Sequence, residues 1–436
     1  MLIACFVLFL AMVAGCLAAG LSVAWALLGG VILFWILGRR QGFTHRQLWE
    51  MAWKKCQKSL IVVEVIFLIG IITGLWRVGG TIPYCIVMGV KLVTPGLFLV
   101  VAFLLCVALS YVLGTSYGVS STMGVILMAL ARSGGVDPII TAGVILSGVY
   151  FGDRCSPASS AASLVAAVTD TDLYQNVRQM LRTGLLPTLL TLGVYGVLSW
   201  LNPLEQMDQG VLDSLRGSFS ISWLSLLPAA VMFLLPLFKV PIKWAMAGSI
   251  AVSAILAMAV QGFTPWQTLL AAWEGYHPAD TALNAVLGGG GVTSMMVSYI
   301  IVILTGLYSG ILEGTGDLEP LQHKAETLAG KIGRFPAMIV VSTLTAMVLC
   351  NQAVTSILSE QLLRRSYDDR EEMAMDIENS GILIAGLVPW SIACSIPLTM
   401  LGASYGAVGY ALLLWLIPVC YLFTKRFFYP RKTGQA

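Results

Sequence analysis

Charge is scarce in this chain. Only 11% of its 436 residues are Asp, Glu, Lys or Arg, against 58% hydrophobic. A soluble domain carries roughly 25% charged residues, so a single globular core is excluded. Histidine is nearly absent, with His45, His277 and His323 in polar stretches. No HExxH motif and no P-loop occurs, which leaves a zinc protease and a nucleotide-driven pump without equipment. The nine cysteines contain no CxxC pair and read as small packing residues. No Lys/Arg stripe offers a surface to nucleic acid. Neither an enzyme nor a cofactor is expected. No Lys or Arg precedes Arg39, so the Val13–Cys16 segment reads as part of two membrane helices, not a removed signal.

What remains is apolar and runs in stretches near the length that crosses a bilayer, about 20 residues. The clearest include Leu2–Ala19, Leu60–Trp76, Leu97–Leu113, Leu185–Trp200, Met295–Leu312 and Ala407–Phe423. Arg39–Lys58 holds six cations against Glu50, and the tail holds Lys425, Arg426, Arg431 and Lys432. The positive-inside rule places both in the cytoplasm. The stretch Gln261–Gly291 has no Lys or Arg and should face outward. Arg39–Lys58 also carries Leu48, Trp49, Met51 and Trp53, and reads equally as a surface amphipathic helix or a charged loop.

An internal duplication is visible. Thr73-Gly74-Leu75-Trp76 recurs as Thr305-Gly306-Leu307-Tyr308 (305 − 73 = 232). Each precedes a glycine-rich break, the second ending at Gly316. Leu113-Gly114-Thr115-Ser116 lies opposite Leu349-Cys350-Asn351-Gln352 (349 − 113 = 236). Cations precede the first copy and not the second, so equivalent positions fall on opposite sides of the membrane. Inverted-topology repeats have this signature, and their discontinuous helices build the transport site near the midplane.

Four breaks mark that site: Gly114–Gly118, Gly148–Ser160, Cys350–Ser356 and Gly386–Ser395. Freed backbone in a membrane belongs beside protein or a watery cavity. Among ionisable groups, Asp153 sits in the second break beside Arg154, either paired with it or acting as a coupling site. Glu64 lies in an apolar run and is a proton-carrier candidate; the alternative is a carboxylate near the membrane edge.

These same residues resemble the NhaC-type sodium/proton antiporter family, within a larger ion-transporter group. The resemblance runs from about Leu60 to Leu414. It rests on Gly79–Phe98, GTSYG at Gly114–Gly118, SGVYFGDRCSPASSAASLVAAVTDTDL at Ser147–Leu173, GGGGVTSMM at Gly288–Met296, ILEGTG at Ile311–Gly316 and the Glu378–Trp390 run. It implies sodium exchanged for protons or, in some relatives, an organic acid moved with ion exchange. Carried over, the binding residues are Thr115, Ser116, Asp153, Ser156, Ser160, Ser163, Asn351, Gln352, Trp390 and Ser391, with sodium near Thr115, Asp153 and Asn351. The family usually has Asp and Asn where this chain has Ser160 and Ser163, Asp at Asn351 and Asn at Ser391. Those changes suggest a different substrate or coupling ion.

The expected protein is thus an all-α polytopic membrane protein with about ten to twelve transmembrane helices, re-entrant hairpins and two inverted-topology repeats. Its parts are 1–58, two helices and a basic segment; 59–201, the first repeat; 202–290, connecting helices; and 291–436, the second repeat and tail. It is placed in a bacterial inner membrane with a cytoplasmic C-terminus. Expected partners are sodium, protons, the lipid bilayer, a second copy in a homodimer and, on the second reading, a small organic solute, with no nucleic acid.

Overall fold

Lipid offers no partner for backbone N–H and C=O groups, so a chain this apolar must satisfy them within helices. The structure, a computed structural model, describes residues 2–92, 94–204, 209–238, 240–315 and 319–429. Gly316, Arg431 and Lys432, used above, lie outside the described residues.

Two helices open the chain, α1 (Leu2–Ala18) and α2 (Val23–Arg40). The first half follows with α3 (His45–Val78), α4 (Thr81–Leu92), α5 (Phe98–Leu113), α6 (Ser116–Val119), α7 (Val125–Ser133), α8 (Pro138–Cys155), α9 (Ser160–Thr169) and α10 (Leu173–Leu201). Connecting helices are α11 (Gln209–Ser218), α12 (Leu227–Leu237), α13 (Ile242–Ala259), α14 (Pro265–Trp273) and α15 (Thr281–Leu287). The second half holds α16 (Met296–Thr315), α17 (Glu319–Ile332), α18 (Arg334–Leu349), α19 (Gln352–Leu363), α20 (Arg370–Glu378), α21 (Gly381–Leu387), α22 (Ile392–Leu401) and α23 (Leu412–Phe428). The protein is an all-α polytopic membrane protein.

Among the described residues, Val23–Arg40, Leu173–Leu201 and Val292–Thr315 are long and apolar enough to cross a membrane unaided. Two bent pairs reach the same length, His45–Gln57 with Val62–Val78 at 42° and Arg370–Leu387 with Ile392–Leu401 at 51°. Other apolar helices are shorter. The 16 residues of α5 cover roughly 24 Å, against a hydrocarbon core about 30 Å thick. Much of the molecule therefore crosses in pieces. The basic segment is helical and not a loop: His45–Gln57 is the first limb of α3, with Leu48 and Ala52 buried and Trp49 and Trp53 exposed.

Backbone geometry recurs at the matched positions of the two halves. α5 ends on Gly114 at φ 64° and ψ 25°, and α18 ends on Cys350 at φ 54° and ψ 22°. Each is followed by an extended N-cap, Thr115 (φ −145°, ψ 123°) and Asn351 (φ −141°, ψ 122°). α9 and α22 each start from an extended serine, Ser159 and Ser391, and end in a left-handed residue, Asp170 and Gly402. Two of the main helix contacts, α3 on α16 and α10 on α23, join an element to its own counterpart. A two-fold relation between halves produces such self-pairing at its axis.

Small residues set how closely helices approach, because lipid gives no hydrophobic drive for them to associate. On α8 a Gly148-xxx-Gly152 face meets α5. A Cβ on Gly152 would lie 2.0 Å from the carbonyl of Ser110, and one on Gly148 2.5 Å from Cys106 Cβ. The Ser110 hydroxyl closes the contact, donating to Gly148 O at 2.8 Å and accepting from Gly152 N at 3.0 Å. On α16, Gly306 and Gly310 give the same clearance against Cys56 and Met51 of α3.

Gly152→Ala should force α5 and α8 apart. The expected result is a loss of about 1–3 kcal/mol, read as a lower unfolding midpoint of the purified protein in detergent.

Candidate functional site

The four breaks end in four N-caps. The Thr115 hydroxyl accepts from Gly118 N at 3.4 Å and Asn351 Oδ1 from Val354 N at 3.2 Å. The Ser159 hydroxyl accepts from Ala161 N and Ala162 N, and Ser391 Oγ from Ala393 N at 3.2 Å. Each side chain replaces one of the partners that a helix start lacks. The breaks also meet in pairs. Gly114 touches the Ala158–Ser159 backbone so closely that a Cβ would sit 2.4 Å from Ala158 C. In the other half Ile392 N donates to Cys350 O at 2.9 Å, and Trp390 Nε1 to Met347 O at 2.8 Å. A five-residue π-turn, Ser120–Gly124, follows α6 and widens the helix beside the first break.

Asp153 stands where these breaks converge. It is 7% exposed. Ser116 N reaches Oδ1 at 3.3 Å, Ser116 Oγ reaches Oδ2 at 3.1 Å, and Gln352 Nε2 reaches Oδ2 at 3.3 Å. The donors come from both halves, because Ser116 opens α6 and Gln352 opens α19. Gln352 also donates to Ile382 O at 3.0 Å, which ties it to α21. The helix start at Ser116 favours negative charge on Asp153. A carboxylate has about four acceptor sites, and these contacts are long, so capacity remains for a cation. Thr115, Asn351 and Gln352 are half-buried, and Thr115 and Asn351 directly precede the two donors Ser116 and Gln352.

Arg154 does not pair with Asp153. Successive residues on a helix point in different directions. Its guanidinium turns to α10 and α20, donating to Thr183 Oγ1 at 2.9 Å and Asn379 Oδ1 at 2.5 Å. It also contacts Cys155 Sγ at 3.1 Å. Gly184 makes room for it, since a Cβ there would lie 3.0 Å from the guanidinium. Arg154, Glu378 and Asn379 are all fully buried.

The remaining expected residues divide. Ser156 is buried and its hydroxyl accepts from Ala158 N at 3.1 Å, so it shapes the turn. Trp390 and Ser391 are buried and hold the fourth break. Ser160 and Ser163 lie on the exposed face of α9, and Ser163 bonds back to Ser159 O at 2.7 Å. Glu64 is not brought to this centre. Its side chain is 57% exposed and ion-paired with Lys243 of α13. Gly114–Gly118 also spells the G-x-S-x-G pattern of serine hydrolases. The Ser116 hydroxyl, however, donates to Asp153, and all three histidines are exposed on other elements.

Sequence reasoning missed Glu378, Asn379 and the direction taken by Arg154. Glu378 closes the charged run REEMAMDIE, Arg370–Glu378, and reads only as the start of the Glu378–Trp390 resemblance. The structure carries the helix on through Arg370–Leu387, which puts Glu378 inside a spanning piece. Among the described residues, no group of three or more His, Cys, Asp or Glu is placed to hold a metal ion.

Comparison with known proteins finds relatives along most of the chain. The model of the Na+/H+ antiporter family matches residues 148–424. A malate-2H(+)/Na(+)-lactate antiporter of Bacillus subtilis is 27% identical over 92% of this chain and 88% of its own length. The Na(+)/H(+) antiporter NhaC of Alkalihalophilus pseudofirmus is 24% identical, covering 82% and 79%. The arginine/ornithine antiporter ArcD of Halobacterium salinarum is 26% identical, covering 86% and 81%.

Arg154→Met should strand Thr183, Asn379 and Glu378 in the interior. A loss of at least about 2 kcal/mol is expected, measured as a fall in the unfolding midpoint in detergent. Thr183→Val, which removes one neutral partner, should cost less.

Proposed function

Because the chain belongs to the Na+/H+ antiporter family, we propose that it exchanges sodium for protons across a bacterial inner membrane, with Asp153 taking the cation. The observation that carries this reading is one buried carboxylate, under-supplied with donors, held between two half-helices from opposite halves. Sodium favours oxygen ligands. Asp153 and the Ser116 hydroxyl supply two, and the break residues Thr115 and Asn351 border the same centre. The halves act as inverted repeats, and rocking one against the other opens the centre to alternate sides. The cationic tail keeps the C-terminus in the cytoplasm.

A second reading has support of its own. Neutral Ser160, Ser163, Asn351 and Ser391 stand where the family pattern has acids and amides. Two of the relatives are named for malate with lactate and for arginine with ornithine. On that reading the same centre couples ions to a small organic acid or amino acid.

Purified protein in proteoliposomes separates the two. Sodium added outside vesicles that hold no organic solute should move protons, read with a trapped pH dye. If proton movement starts only when a carboxylic or amino acid is present, the second reading replaces the first. Asp153→Asn should abolish coupled flux while the protein still inserts. Glu64→Gln should leave the flux and its pH profile near wild type, because its charge serves an exposed ion pair.

A further inference from the structure

Among the described residues, Glu378 is the acidic side chain with both oxygens buried and unpartnered. It is fully buried on α20, and neither carboxyl oxygen has a hydrogen-bond partner. Burying a bare carboxylate is costly unless charge or hydrogen bonds compensate. The neighbouring Asn379 Nδ2 and Arg154 Nε are also buried and unpartnered. Arg154, which follows Asp153 on α8, donates to Asn379, the residue after Glu378.

Other charged groups on the packed elements are engaged elsewhere or exposed. Asp376 and Glu372, on the same helix, pair with Lys425 of α23, and Glu372 also pairs with Arg334 of α18. Glu360 of α19 pairs with Arg364. Arg370 pairs with Asp170 at the end of α9, and Arg178 and Arg182 of α10 are exposed. Cys155 on α8 is buried and its Sγ lies 3.1 Å from the Arg154 guanidinium. Asp153 and Glu378 are thus two buried carboxyls linked through one buried cation, Arg154, which adjoins Asp153 on α8 and bonds the residue after Glu378.

We propose that Glu378 is the proton-carrying partner of Asp153, and that the shared cation Arg154 makes their loads mutually exclusive. This rests on the sodium/proton reading above. The reasoning is one of buried net charge. With sodium absent, Asp153 is ionised and balances Arg154, and Glu378 holds a proton. When sodium binds Asp153, that carboxylate is neutralised locally. Arg154 is then free to balance a second negative charge, and the Glu378 O–H proton leaves to water. The triad stays neutral in both states. Either double load, or neither, would leave an uncompensated charge in a low-dielectric interior. Coupling then follows from electrostatics without direct contact between the two carboxyls.

The test is proton release on sodium binding to the full-length protein in weakly buffered detergent, read with a pH dye, alongside radioactive sodium binding. Wild type should release a proton for each sodium bound. Glu378→Gln, which mimics the protonated carboxyl, should bind sodium more weakly than wild type and release no proton with what it binds, and in proteoliposomes its sodium-driven proton flux should fall to that of protein-free vesicles. Release by Glu378→Gln equal to wild type overturns the proposal and leaves sodium/proton exchange standing. Wild type that binds no sodium and moves no protons overturns the exchange itself, and this proposal with it. A second measurement needs no variant. A hydrophobic carbodiimide reacts with protonated buried carboxyls, so mass spectrometry should find Glu378 labelled without sodium and protected with it. Labelling at Glu378 that sodium does not change overturns the proposal even if the variant fails to fold.

Discussion

A helix that stops inside a membrane leaves backbone groups that nothing in the lipid can satisfy. The centre of this protein is organised by that constraint. At each break a short polar side chain, Thr115, Ser159, Asn351 or Ser391, caps the next helix. Each break also lies against a second one from its own half. Once the breaks are held in this way, the helix starts beside them become fixed dipoles. A carboxylate can then be buried among them at tolerable cost.

The charges obey a related economy of placement. Asp153 and Arg154 are adjacent in sequence and diverge in space, so the cation is spent on Thr183 and Asn379 and not on a salt bridge. A direct pair would have tied up the carboxylate that, on the proposed function, takes the ion. Glycine makes this divergence workable. Gly148 and Gly152 seat α8 flush on α5, and Gly184 clears the path of the guanidinium. The geometry of one aspartate thus rests on three positions that carry no side chain at all.

How legible this was in the sequence depends on the kind of signal. The breaks were legible, because glycine, proline and runs of hydroxyls interrupt apolar stretches visibly. Asp153, Ser116 and Gln352 were found through them, and the structure brings these three together. Glu64 drew notice because a hydropathy window registers depth and not face. Its exposure and its partner Lys243, far along the chain, appear only in three dimensions. Glu378 was overlooked for the opposite reason. Its charged neighbours disguised a helix that runs on into the interior. Ser160 and Ser163 came from the family resemblance, and a resemblance in sequence cannot say which side of α9 faces out.

One contact in the centre has a mechanical meaning. Ser116 reaches Asp153 from the same half of the molecule, through a helix pair locked by close glycine packing. Gln352 reaches it from the other half, at 3.3 Å. A displacement of one half against the other would leave the first grip intact and loosen the second. On the proposed function, the Gln352 amide is a strain gauge built across the seam, and the affinity of the aspartate for its ion is the dial.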